Sequence, residues 1–251
     1  MRSRSNGIRA GVALVLAVIF GGCDSSNARK TVPSGPPAAA AVPTPARVPA
    51  QQTVQGFVKA IYAEGVPYQQ ARAFGPAAVN ELLTLLNDPS MADARSNIVV
   101  TLGMIGGDKA EDELRQLVAR GTGKLTQPEF TLRLNAQMAL GYAANVAKTI
   151  VTLDYLIASL QSGVWDSRVS WQPPNGGSPF PRLRERSIMA LGLSGKPQAG
   201  NALEQLLKGE GGGRGGAPLT RSDQEVVKEA LLANQYLRTH SLAQYFVEYR
   251  R

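Results

Sequence analysis

SNIVVTLGMIG (Ser96–Gly106), NAQMALGYAA (Asn135–Ala144) and RSIMALGLSG (Arg186–Gly195) are three versions of one segment. Each runs through small or apolar residues to a Leu-Gly pair and then into a short turn. The pairs begin at Leu102, Leu140 and Leu191, so the steps between them are 38 and 51 residues. A step of about 40 residues is the period of a two-helix repeat. The longer second step predicts an inserted loop, for which Trp165–Pro181 is the candidate. Near Asp223 the stretch VVKEALLANQYL echoes the pattern without its glycine and predicts a fourth unit.

The residues between these segments are also helical in spacing. Val79, Leu82, Leu83 and Leu86 fall on one helical face, as do Leu153, Leu156, Ile157 and Leu160. Leu242, Tyr245, Phe246 and Tyr249 give an aromatic-rich face near the end. No run of alternating β-branched residues is long enough to argue for a sheet. Glycine inside a helix costs about 1 kcal/mol against alanine, so Gly103, Gly141 and Gly192 predict a compensating use, the close approach of a neighbouring helix.

The region from Gly65 to Val118 holds Leu85-Leu86 followed by Asn87-Asp88-Pro89, then Arg95, then Leu-Gly-x-Ile-Gly. This resembles the HEAT-repeat family, including the short form found in bilin-lyase-like proteins, and Arg133 and Arg184 stand where Arg95 stands in the first unit. The resemblance covers about Gly65–Leu207. It implies an all-α fold, a short α-solenoid of about four HEAT-like helix pairs over residues 51–251. A lone pair cannot hide its apolar face, and stacked neighbours bury a continuous core.

The first fifty residues read differently. Met1–Arg9 carries three arginines, Ala10–Phe20 is apolar apart from Gly11, and Gly21, Gly22 and Cys23 follow. A basic head, a short apolar run and small residues form a secretory-signal pattern. The run falls well short of the ~20 apolar residues that a membrane-spanning helix needs. Phe20-Gly21-Gly22-Cys23 resembles the lipobox of bacterial lipoproteins, with Phe20 where an aliphatic residue is usual. The resemblance implies removal of residues 1–22 and lipidation of Cys23. Asp24 resembles the retention signal of enterobacterial inner-membrane lipoproteins, which points to the periplasmic face of that membrane. Residues 23–50 complete a linker in which Pro33, Pro36, Pro37, Pro43, Pro45 and Pro49 lie among alanines. Such a stretch is expected to be extended and solvated, reaching at most roughly 80 Å.

Charge and cysteine content narrow the function classes. Removing Arg2, Arg4 and Arg9 from 27 basic residues leaves 24 against 19 acidic ones, a net charge near +5. The basic residues are interspersed with acidic ones, so nucleic acid is not an expected partner, whereas a mild excess suits an anionic membrane surface. Cys23 is the sole cysteine, which excludes an internal disulfide and a cysteine-based zinc site. His240, the sole histidine, sits in RTHSLAQYF and reads as a turn residue. Glu111, Asp112 and Glu113 read as acidic residues favouring a helix start. GEGGGRGG over Gly209–Gly216 lacks the Gly-Lys-Ser/Thr ending of a phosphate loop and reads as a connection. No metal, cofactor, small-molecule substrate or catalytic residue is therefore expected.

One segment invites a binding role. Ser162–Arg182, SGVWDSRVSWQPPNGGSPFPR, holds both tryptophans. Tryptophan and arginine are enriched at binding hot spots, so Trp165, Arg168, Trp171 and Phe180 are candidate partner-binding residues. Capping of the core by the two tryptophans is an equally open reading. The expected function is a non-enzymatic interaction module, anchored to the membrane through its lipid, that offers a concave surface to an envelope protein. An accessory relative of the bilin-lyase group and a glycan-binding lipoprotein are the alternatives.

Overall fold

The computed structural model describes residues 52–209 and 219–249. Among these the chain is all-α, with helices packed on helices. The predicted signal segment, Cys23, Asp24, the linker and most of the glycine-rich stretch lie outside the described residues.

In chain order the α-helices are α1 (Val54–Lys59), α2 (Tyr68–Ala73), α3 (Val79–Asn87), α4 (Arg95–Ile105), α5 (Asp108–Ala119), α6 (Gln127–Val146) and α7 (Val151–Ala158). Then come α8 (Ser162–Arg168), α9 (Phe180–Ser194), α10 (Pro197–Leu207), α11 (Arg221–Leu237) and α12 (Leu242–Tyr249). Local chemistry sets their ends. Thr126 and Glu129 form a capping box at the start of α6, and Thr220 and Asp223 form another at the start of α11. Helix α9 stops at Gly195, whose φ of 62° is the left-handed turn that glycine adopts without strain.

Helices α4, α6, α9 and α11 pack side by side in chain order as an inner row. Helices α3, α5, α7 and α10 pack against that row, giving four outer–inner pairs. The pattern follows from composition. Every residue of α6 from Leu132 to Ala144 is buried, as is every residue of α4 from Ile98 to Ile105. In α5 the buried residues are confined to Ala110, Glu111, Leu114, Leu117 and Val118, a single stripe.

The glycines of the three Leu-Gly pairs have the use predicted from their cost within a helix. A Cβ on Gly141 would lie 2.5 Å from the Ala190 carbonyl oxygen, and one on Gly192 would lie 2.8 Å from that of Ala230. Gly103 meets Ala139 in the same way. In each contact the alanine precedes the next inner helix's own pair position by the same two residues, so one register repeats down the row. The fourth inner helix carries Leu232 at that position, and it is 43% exposed. Glycine is missing where no further helix has to approach. Around Leu232 the outward side of α11 carries Arg221, Gln224, Glu225, Lys228 and Gln235, all exposed, a polar face that ends the stack.

Two features depart from the expectations. The segment taken as an inserted loop, Trp165–Pro181, contains the last residues of α8, which itself begins at Ser162, and a strand β2 (Ser170–Gln172). That strand pairs in parallel with β1 (Thr122–Lys124), Gly123 opposite Trp171. Three-residue strands are too short to show alternation, so nothing in the sequence marked them. The second departure is α12, which contacts both α11 and α2 and so bridges the two ends of the row. Its Phe246 stacks on Tyr68 at 5.4 Å and packs against Tyr142 of α6 at 5.8 Å.

Candidate interaction site

Of the four residues singled out for partner binding, Trp165 and Arg168 lie together beside α7, Trp171 lies at the start of α6 and Phe180 beside Arg184 of α9, and they do not share one exposure. Trp165 is 1% exposed and Trp171 is 2% exposed. The Trp165 indole donates to the Ser159 carbonyl at 3.0 Å, and the Trp171 indole donates to the Val118 carbonyl at 2.9 Å. Both polar handles are thus satisfied inside the protein. Trp165 meets Tyr155 edge-on at 6.5 Å, and Trp171 meets Phe130 edge-on at 5.9 Å. The strand β2 explains the second placement, because Trp171 is its one inward-facing residue between exposed Ser170 and Gln172.

Arg168 and Phe180 are half-buried. The Arg168 guanidinium lies 4.1 Å from the Tyr155 ring centre and 5.5 Å from that of Trp165. It donates to Ser159 Oγ at 2.7 Å and to the Tyr155 carbonyl at 3.3 Å. Burial pushes the Tyr155 hydroxyl up to about 12, so the arginine faces a neutral phenol throughout the physiological range. Phe180 lies under the Arg184 guanidinium at 5.5 Å. What the segment offers outward is Gln172 and the turn around Asn175, Gly177 and Ser178, all exposed. The tryptophans serve as internal caps, and the polar turn is what this segment leaves at the surface.

Among the arginines that match the repeat register, Arg133 has a related task. Arg133 donates through Nε and Nη2 to the Arg120 carbonyl, at 3.0 and 2.6 Å, and through Nη1 to the Glu129 carbonyl at 2.9 Å. It satisfies a carbonyl left over at the end of α5, and it sits 5.8 Å from the Trp171 ring centre. Desolvation lowers its affinity for the proton, partly offset by Glu129.

Sequence reasoning missed one buried polar cluster. Glu111, which stands in the first turn of α5 as expected, is nevertheless 2% exposed and accepts a hydrogen bond from Thr152 Oγ1. Arg115 donates to the same hydroxyl at 2.6 Å and pairs with Asp112. The cluster ties α5 to α7, two outer helices of successive units. Nothing local could have marked it, since Glu111 and Thr152 are 41 residues apart. Thr152→Val preserves shape but leaves the buried carboxylate without its donor. We expect a loss of about 1–3 kcal/mol, read as a lower urea midpoint at unchanged slope.

His240 lies exposed in the turn before α12, stacked on Tyr236 at 4.1 Å. Among the described residues no three His, Cys, Asp or Glu side chains are grouped to hold a metal ion, and no helix is long and apolar enough to cross a membrane. Comparison of the chain with protein-family models, curated proteins and solved structures finds no match.

Proposed function

We propose that the chain is a lipid-anchored, non-enzymatic interaction module of the bacterial envelope, a short HEAT-like solenoid held to the membrane through Cys23. The observation that carries this reading is the shared register of the inner row, in which Gly103, Gly141 and Gly192 each admit the next helix against bare backbone. Stacking of this kind devotes the inner residues to unit-on-unit contact and leaves turns and outer helices free to meet a partner. The lipobox-like Phe20-Gly21-Gly22-Cys23 supplies the address, and the proline-rich linker supplies reach. The partner is an envelope protein, met at the polar turn beside Arg168 and Phe180.

The test is in-cell photo-crosslinking with a photoreactive residue at Asn175. We expect adducts of one or a few defined protein masses, recovered in constant ratio. Adducts with glycan alone, or none while the protein is folded and membrane-associated, would contradict the proposal.

A further inference from the structure

The carboxyl-terminal ends of the four inner helices share one edge. Gly106 abuts Val146, Asn145 Nδ2 donates to the Leu193 and Ser194 carbonyls, and Lys196 Nζ donates to the Ala147 carbonyl at 3.4 Å. Gly195 abuts Leu237, and Asn234 donates to the Lys196 carbonyl at 3.2 Å. These contacts join the turns after α4, α6, α9 and α11 into one line. At helix spacings of roughly 8–10 Å the line is about 25–30 Å long.

A cation stands at or beside each turn: Lys109, in the first turn of α5 and donating to Asn80 Oδ1 at 2.7 Å, Lys148, Lys196 and Arg238. Arg72 adds a fifth, donating to the Met104 and Ile105 carbonyls at 3.1 and 2.7 Å. Helix dipoles favour positive charge at these ends. Yet among the described residues none of the five takes part in an ion pair, whereas at the opposite edge Arg120 pairs with Glu113 and Arg182 with Glu185. Exposed carboxylates near the line include Asp108, Asp154 and Glu81, the last beside the Asn80 that accepts from Lys109. The dipoles do not account for a second feature of the same edge. Ile150, which caps α7, and Val151, its first residue, are 60% and 57% exposed, a pair of large aliphatic side chains held out into solvent near Lys148.

We propose that this edge docks on an anionic phospholipid bilayer, with Ile150 and Val151 entering the headgroup region and the five cations facing the lipid phosphates. Unpaired cations around a protruding apolar pair are complementary to a negatively charged, interfacially apolar surface. The inference rests on the tether reading, because an anchor at Cys23 keeps a bilayer within reach, and the ~80 Å linker span lets this edge turn toward it. Docked this way, the module presents its opposite edge, with the turn around Asn175, to the periplasm.

The test is flotation of the mature chain carrying Cys23→Ser, so that no acyl group contributes, with vesicles of phosphatidylcholine alone or with 40% phosphatidylglycerol. We expect flotation with the anionic vesicles only. Lys148→Glu with Lys196→Glu should weaken it at least tenfold, since each cation near such a surface is worth about fivefold. Ile150→Ser with Val151→Ser should weaken it severalfold. The charge-matched pair Lys124→Glu with Lys208→Glu, at the opposite edge, should weaken it far less. Circular dichroism confirms that each variant is folded. No flotation of the parent chain, or equal losses for the two charge-reversal pairs, would overturn the inference. Acylation of Cys23 is read separately by mass, so a chain that is acylated but does not float, and one that floats but is never acylated, are told apart.

Discussion

Gly141→Ala should lower the stability of the protein by about 2 kcal/mol, although alanine is the better helix former. The added Cβ would lie 2.5 Å from the Ala190 carbonyl oxygen and 2.6 Å from its Cα. Both are backbone atoms, so no side-chain rotation relieves the overlap, and α6 and α9 must move apart. They belong to the middle of the inner row, and their separation also loosens what packs against them. Overpacking of this kind costs about 1–3 kcal/mol and sometimes more, against a propensity gain of about 1 kcal/mol. At roughly 2–4 °C per kcal/mol for a chain of this size, Tm should fall by about 4–8 °C. Gly163→Ala is the matched control. That glycine lies within α8 with no atom near its missing Cβ, so alanine there should add about 0.5–1 kcal/mol. Both are read from thermal and urea unfolding followed by circular dichroism. A Gly141→Ala protein as stable as its parent would refute backbone-limited stacking.

Trp171→Ala should cost about 3–5 kcal/mol, the upper range for a large buried side chain. The substitution empties a site that is 2% exposed, strips Phe130 of its edge contact and leaves the Val118 carbonyl without its indole donor. It also removes the ring beneath Arg133, the side chain that holds the end of α5 to the start of α6. Trp171→Phe should recover more than half of the loss, because ring volume returns while the hydrogen bond does not. If Trp171 were a contact residue for a partner, alanine there would leave the urea midpoint unchanged and abolish crosslinking from position 175. The structure leads to the opposite expectation, a large fall in midpoint.

The stacking was legible because it is a property of single helices repeated. Leu102-Gly103, Leu140-Gly141 and Leu191-Gly192 announce close approach, and an Arg stands seven residues before each leucine. The fourth unit was legible as an echo without its glycine, and Leu232, 43% exposed at that position, shows why the glycine is missing. The tryptophans were visible as unusual residues, with binding and capping of the core both left open. Their direction depends on β1 meeting β2, a pairing between residues 122–124 and 170–172 with no local signature. The Glu111–Thr152 bond and the landing of Phe246 on Tyr68 were illegible for the same reason. Each joins residues brought near only by the finished stack. The edge of cations was also hidden, since Lys109, Lys148, Lys196 and Arg238 look like scattered surface charge until the turns line up.

The central claim is that this stack of helices is held to a membrane by Cys23, and intact-mass analysis with membrane fractionation tests it most directly. The native chain and a Cys23→Ser variant would be expressed with their own amino-terminal segment in a bacterial host. The account predicts a native protein that begins at Cys23, carries a diacylglyceryl mass increment and sediments with membranes. The variant should lack the increment and lose stable membrane association, apart from the weaker, salt-sensitive contact expected of the cationic edge. A native protein that is unmodified at Cys23 and fractionates with the soluble pool would contradict the claim.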